Sequence, residues 1–133
     1  MKSSEFFDVA GALRVLANPP EGCARSAVSR YYYAAFLDAR DRLRERRGLM
    51  FKTHESHENV KRSYYWADLT RVKKVGRLLE DLKKLRIVAD YDLESTADPD
   101  AAGEAEALCR EICSDLADPA FDYSACIDPS GRK

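Results

Sequence analysis

The chain contains 133 residues, of which 45% are hydrophobic and 34% are charged, and its formal net charge is −1. This length predicts one domain with a buried core. We expect no membrane span and no signal peptide, because the sequence has no long apolar run. The four cysteines form no CxxC pair, which favours reduced thiols and a cytoplasmic location.

Charge is distributed unevenly along the chain. Residues 21–90 hold 17 Lys and Arg against 10 Asp and Glu, whereas residues 91–133 hold 3 against 11. A basic body with an acidic flank can meet phosphates on one side and a basic partner on the other. Alternatively, the two parts attract each other within the fold.

Hydrophobic periodicity predicts helices, and no stretch alternates for long as a strand would. The first helix is expected from Ser4 to Ala17, and Pro19-Pro20 break it. The second is expected from Cys23 to Arg47 and ends at Gly48. Its polar face offers donors for a phosphate or a carboxylate, or a polar dimer interface. These residues are Ser26, Ser29, Arg30 and Tyr33.

The second helix ends in a basic run from Arg40 to Arg47. Three aromatic residues, Tyr64, Tyr65 and Trp66, follow on a short helix that Ser56 is expected to cap. Basic and aromatic residues together can bind RNA by charge and stacking, although a solvated helix face is an equally good interpretation.

The next helix is predicted from Asp68 or Thr70 to Asp90 and carries an arginine in its apolar stripe. The stripe consists of Val72, Val75, Leu79, Leu82, Arg86 and Ala89. Because an unpaired buried guanidinium is costly, we expect Arg86 to pair with Asp90, one turn on. The pair is interpreted either as a structural ion pair or as a phosphate site across a dimer seam.

A loop at residues 48–57 holds Lys52 and the two histidines, His54 and His57. His54 is a candidate proton acceptor if the loop folds over Arg86, and a surface histidine otherwise. A zinc site joining both histidines to Cys109 and Cys113 is a weaker alternative, and we predict no metal and no cofactor.

The last helix is expected to start at Asp98-Pro99, with aspartate as its cap. The predicted architecture is an all-α, up-and-down bundle of four to five helices in one domain, residues 1–118. Residues 119–133 are predicted to form a partly docked tail, through Phe121, Tyr123 and Ile127.

Four segments resemble, in the same order, motifs of a branch of the HEPN family. Residues 25–36 are similar to its signature helix with a Ser-Arg-x-Tyr-Tyr-Ala-Ala-Phe run, and Lys52-Thr53-His54 to its Lys-Thr-His loop. Residues 86–92 resemble its Arg-x-x-Ala-Asp-Tyr ending, and Ser95-Thr96 precedes an Ala-rich helix. The resemblance spans residues 23–117.

This resemblance implies a helical bundle that forms a homodimer through its long helices. It also implies a toxin–antitoxin or defence module of bacteria or archaea, with a nucleotidyltransferase partner. Many members are metal-independent ribonucleases that use an arginine followed shortly by a histidine. Here no histidine follows Arg86, and Asp90 and Tyr91 stand in that region. In related toxins a tyrosine near this motif is the residue that the nucleotidyltransferase modifies.

Three functions follow as expectations. The first is a nucleotide- or RNA-binding component that acts with a nucleotidyltransferase or an effector. The second is a ribonuclease toxin in which Arg86 acts with Asp90, Tyr91 or His54 as catalytic residues. The third is a non-catalytic dimerisation scaffold. For the first, the expected binding residues are Ser26, Ser29, Arg30, Tyr33 and Lys52.

Overall fold

The computed structural model of the chain describes residues 3–15, 21–91 and 99–130. For residues 13–15, 21–25, 90, 91 and 99 it describes the backbone only. Within these ranges the fold is helical and contains no strand, which confirms the predicted all-α bundle. The helices are α1 (Ser3–Val15), α2 (Glu21–Arg47), α3 (Ser56–Tyr65), α4 (Thr70–Tyr91) and α5 (Pro99–Ala117), and a 3₁₀ turn follows at Tyr123–Ala125. None of them is long and apolar enough to span a bilayer, as far as the described residues show.

Helix α2 is the centre of the bundle and packs against α1, α4 and α5. One apolar face of α2 is buried throughout. The buried residues are Val28, Tyr32, Ala35, Phe36, Ala39 and Leu43. Because α2 contacts three helices, its half-buried residues, such as Tyr33, lie at the boundaries between these helices.

Helices α3 and α4 approach each other closely at Gly76. A Cβ atom on Gly76 would lie 2.4 Å from the backbone nitrogen of Tyr65, so only glycine fits there. The stripe of α4 that precedes Arg86 is buried as predicted, through Val72, Val75, Leu79 and Leu82. This contact fixes the position of α3 against the half of the bundle that carries Arg86.

Two details of this region correct the sequence analysis. Ser56 is the first residue of α3 rather than its cap; its hydroxyl donates to the Thr53 carbonyl, and Glu55 at the cap position makes no side-chain cap bond. Tyr64 is fully buried and donates its hydroxyl to the Ala39 carbonyl at 2.8 Å, so it cannot stack on RNA. Tyr65 and Trp66 remain exposed.

The basic end of α2 is engaged within the molecule. Arg42 pairs with Asp38 at 3.0 Å. Arg47 donates to the carbonyls of Tyr123 at 2.8 Å and Cys126 at 2.7 Å. The run therefore anchors the C-terminal segment, where Phe121 and Tyr123 are buried. The backbone N–H of Ile127 donates to the Ser63 carbonyl. Its side chain is exposed, although the sequence predicts that it docks on the bundle.

Candidate functional site

Arg86 lies half-buried in the groove between α4 and α2, against two consecutive tyrosines of α2. Its guanidinium carbon is 5.2 Å from the ring centroid of Tyr32 and 5.2 Å from that of Tyr33. At this distance the ring faces attract the cation. The rings hold the guanidinium at the edge of the core while the side chain keeps partial contact with solvent.

His57, in the first turn of α3, lies against the same tyrosines. Its ring stacks on Phe36 with centroids 4.1 Å apart, and its centroid is 5.7 Å from Tyr32 and 5.9 Å from Tyr33. The Tyr32 hydroxyl and Nδ1 of His57 form a hydrogen bond of 2.7 Å. We call Tyr32, Tyr33, Phe36, His57 and Arg86 the His57 cluster.

The electrostatics of the cluster favour a neutral imidazole among cations. Burial lowers the pKa of His57 below its ordinary value, and the charges of Arg86, Lys83 and Arg40 lower it further. Burial raises the pKa of Tyr32, so its hydroxyl stays protonated at neutral pH. The cluster therefore holds two neutral groups that share a hydrogen bond beside the Arg86 cation, and the charges of Glu58 and Glu80 also act on Tyr32.

Ion pairs between α3 and α4 hold His57 in place. Glu58, which follows His57, accepts from Lys61 at 2.8 Å and lies 3.4 Å from Lys83 of α4. Lys61 also reaches Glu80 of α4 at 2.9 Å. The hydrogen bond to Lys61 lowers the pKa of Glu58, in agreement with a carboxylate that stays ionised between two ammonium groups.

Three of the candidate residues from the sequence lie in one continuous series of contacts. Tyr33 and Arg86 belong to the His57 cluster, and the Tyr33 ring is 5.9 Å from that of Phe6 in α1. The guanidinium of Arg30 extends this series of contacts, because it lies 5.7 Å from the ring centroid of Phe6. Ser29 is half-buried one turn before Tyr33, and Ser26 is exposed.

The loop residues lie elsewhere. Lys52 is exposed, and the side chain of His54 is 75% exposed beside Glu55, at 3.5 Å. The histidine that lies against the same tyrosines as Arg86 is therefore His57, which was not the proton acceptor predicted from the sequence. A signal was present, since His57 shares its helix face with Val60 and Tyr64, both buried.

Asp90 and Tyr91 occupy the last turn of α4, but their side chains lie outside the described residues. The predicted Arg86–Asp90 pair therefore stays a prediction. The zinc alternative finds no supporting geometry in the described part of the chain, where no three His, Cys, Asp or Glu side chains are arranged to hold a metal. Cys109 is buried in α5, and Cys113 is half-buried there.

Comparison with known proteins adds no relative: no family model matches the chain, and no curated protein or solved structure shows significant similarity to it.

Proposed function

We propose that the His57 cluster binds the phosphate of a nucleotide or of RNA. The observation that carries this proposal is the position of Arg86 over the rings of both Tyr32 and Tyr33. The charges of Lys83 and Arg40 also act on His57, while Lys83 pairs with Glu58 and Arg40 pairs with Asp41. Arginine in particular matches the oxygen geometry of phosphate with its planar set of N–H donors.

The aromatic rings give the same site a second property that suits a nucleotide. Tyr33 is half-buried and its ring lies 5.2 Å from the Arg86 guanidinium, so an aromatic side chain stands next to the proposed phosphate site. Tyrosine rings stack on bases without regard to sequence. A phosphate bound at Arg86 thus places its sugar and base beside an aromatic side chain.

The wider role that we propose is a HEPN-type component of a prokaryotic toxin–antitoxin or defence module that acts with a nucleotidyltransferase or an effector partner. The support is the order of the four motifs along the chain, with Arg86 in one and Tyr33 in another. A direct test is the gene beside that of this chain. If it encodes a nucleotidyltransferase, its co-expression should relieve any toxicity of this chain.

A homodimer is part of this proposal. Ile87 and Val88 follow Arg86 on α4 and are exposed apolar side chains, 43% and 51% accessible. A second copy that covers them would bury the end of α4 that carries Arg86. Sedimentation equilibrium should show a dimer, and Ile87→Glu together with Val88→Glu should shift it to monomer with the helical content retained.

Binding is tested by thermal unfolding with added nucleotides and short RNA. A ligand that binds the folded state raises the unfolding temperature, and at a given concentration a tighter ligand raises it more. The rise should disappear in Arg86→Ala but persist in Arg110→Ala, a matched control in which a guanidinium lies 4.8 Å from the Phe7 ring on another face. An equal rise in wild type and Arg86→Ala would contradict the proposal. If Arg86→Ala mainly disrupts folding or dimerisation, the chain is a scaffold.

Metal-independent RNA cleavage is a second candidate, favoured by the presence of His57 beside Arg86. In this reaction the neutral imidazole takes the proton of a ribose 2′-hydroxyl, whose oxygen attacks the adjacent phosphorus. A 2′,3′-cyclic phosphate forms, and the 5′-oxygen leaves and takes a proton from water. Arg86 neutralises the charge that develops on the phosphate. Cleavage should persist with chelator and be lost in both His57→Ala and Arg86→Ala, whereas His54→Ala should leave it unchanged.

A further inference from the structure

Two large aromatic side chains at the end of α3 face solvent instead of the core. Trp66, the single tryptophan of the chain, is 47% exposed, and Tyr65 is 40% exposed. A cation lies near each ring: Arg62 is 5.2 Å from the Trp66 centroid, and Lys73 is 5.6 Å from the Tyr65 centroid. An exposed pair of aromatic rings with cations beside it is typical of surfaces on which nucleic-acid bases stack.

These rings belong to a groove between α3 and α4 with a volume of about 370 Å³. Its lining residues are Glu58, Lys61, Arg62, Tyr65, Trp66 and Glu80. Glu58, which lines this groove, directly follows His57 in α3, so the groove begins one residue away from the His57 cluster. Along α3 the groove therefore runs from Glu58, next to His57, to Trp66.

The length of α3 separates the His57 cluster from Trp66. His57 is the second residue of α3, and Trp66 directly follows its last residue. At about 1.5 Å of rise per residue, His57 and Trp66 lie roughly 14 Å apart along the helix axis. A single nucleotide with its phosphate at Arg86 is too short to stack on Trp66. A strand of a few nucleotides can reach both.

We infer that the ligand of the His57 cluster is single-stranded RNA, and that Trp66 and Tyr65 form a platform on which its bases stack. This inference rests on the proposed function and names its ligand class. Arg62 and Lys73 add positive charge for the phosphate backbone at the rim, and Arg62 also lies 3.3 Å from the Glu58 carboxylate. The carboxylate of Glu58 is engaged by Lys61 and lies near Lys83, and that of Glu80 is engaged by Lys61, which limits their repulsion of a polyanion. A rim of this charge favours RNA over a protein partner.

The fluorescence of Trp66 can report whether a base stacks on its ring, because Trp66 is the single tryptophan of the chain. The probe is a short oligouridylate with 2′-O-methyl groups, which a ribonuclease cannot cleave. It should quench the emission of Trp66, whereas uridine monophosphate and a matched RNA duplex should not. Quenching by stacking requires an unpaired base near the ring.

Affinity for the same labelled oligomer, measured by fluorescence anisotropy, tests the platform by substitution. Trp66→Ala should weaken binding by about tenfold, since each base that stacks contributes on this order. Trp66→Phe should keep most of the affinity because it keeps an aromatic face. Leu69→Ala is the matched control, since it removes a nearby apolar side chain that is 44% exposed, and it should bind as wild type does.

The outcomes separate this inference from the proposed function. If the oligomer or a mononucleotide binds in an Arg86-dependent manner without quenching and without loss in Trp66→Ala, the phosphate site stands and the platform is overturned. If Trp66 is quenched while Arg86→Ala binds normally, the platform stands and the phosphate site fails. If no RNA binds, or if Trp66→Ala releases a protein partner instead, the platform is also overturned.

Discussion

His57 and Arg86 lie against the same two tyrosine rings, although they come from different helices. Arg86 is 5.2 Å from the centroids of both Tyr32 and Tyr33, and the imidazole of His57 is within 6 Å of each. Helix α2 thus supplies a rigid aromatic surface on which α3 places an imidazole and α4 places a guanidinium. An Arg–His combination, which the sequence does not offer within α4, arises from the packing of three helices.

The pH dependence of stability should report the environment of His57. Burial and the charges of Arg86, Lys83 and Arg40 lower its pKa in the folded state below the ordinary value of 6.5. The unfolded chain therefore binds more protons in this range, so the contribution of neutral His57 is complete above pH 6.5 and is lost as pH falls toward the lowered folded pKa. Urea unfolding between about pH 7.5 and about pH 5.5 measures this loss.

The variant for this test is His57→Gln, whose amide can still hydrogen-bond with the Tyr32 hydroxyl. Its free energy of unfolding should fall less than that of wild type over the same pH interval. His54→Gln is the control, because His54 lies in the exposed loop outside the cluster, and it should follow the wild-type curve. Parallel curves for wild type and His57→Gln would show that His57 is not held neutral.

Gly76→Ala should destabilise the bundle by about 2 kcal/mol or more, because the new Cβ would lie 2.4 Å from the backbone nitrogen of Tyr65. Gly11→Ala is the matched helical control, with nothing within 4 Å of its added Cβ, and should stabilise the protein by up to about 1 kcal/mol. Urea unfolding of both variants measures the difference. Equal stabilities would mean that α3 and α4 are not in close contact at Gly76.

Arg47→Ala should loosen the C-terminal segment and lower the free energy of unfolding by about 1 to 3 kcal/mol. The guanidinium donates to the carbonyls of Tyr123, Ser124 and Cys126, and these bonds are lost together. Limited proteolysis should cleave the variant within residues 119–130 faster than wild type. Arg44→Ala removes only an exposed ion pair, 3.7 Å long, and should cost less than about 0.5 kcal/mol. A protease-resistant segment in Arg47→Ala would contradict this role.

Tyr32→Phe should separate the two functions of this tyrosine. The ring that holds Arg86 remains, so affinity for RNA should stay within about twofold of wild type. Loss of the hydroxyl bond to His57 should lower the free energy of unfolding by about 1 kcal/mol. Tyr32→Leu, which removes the ring, should weaken RNA binding further than Tyr32→Phe does. Equal affinities for the two variants, measured by anisotropy, would show that the ring does not position Arg86.

The sequence predicts the helices well because each carries its own periodic signal. The stripe of α4 from Val72 to Leu82 is buried as its spacing indicates, and the break at Gly48 ends α2 where a positive φ of 65° needs glycine. Helix ends were less predictable. Ser56, a good cap by residue type, bonds to a loop carbonyl instead, because capping depends on local backbone geometry that residue type alone does not specify.

The candidate site was predictable only in part. The sequence by itself determined that Arg86 occupies an inward position, since helical spacing defines which face of a helix is buried. It placed Tyr33 only on the polar face of the second helix. The tertiary structure alone decided that His57 rather than His54 joins them, and that Tyr64 is buried while Tyr65 and Trp66 are not. Periodicity predicts which face of a helix is buried, but it does not predict which other helix packs against that face. The neighbour is set by how closely two helices approach, and here that depends on a glycine that admits the backbone of α3.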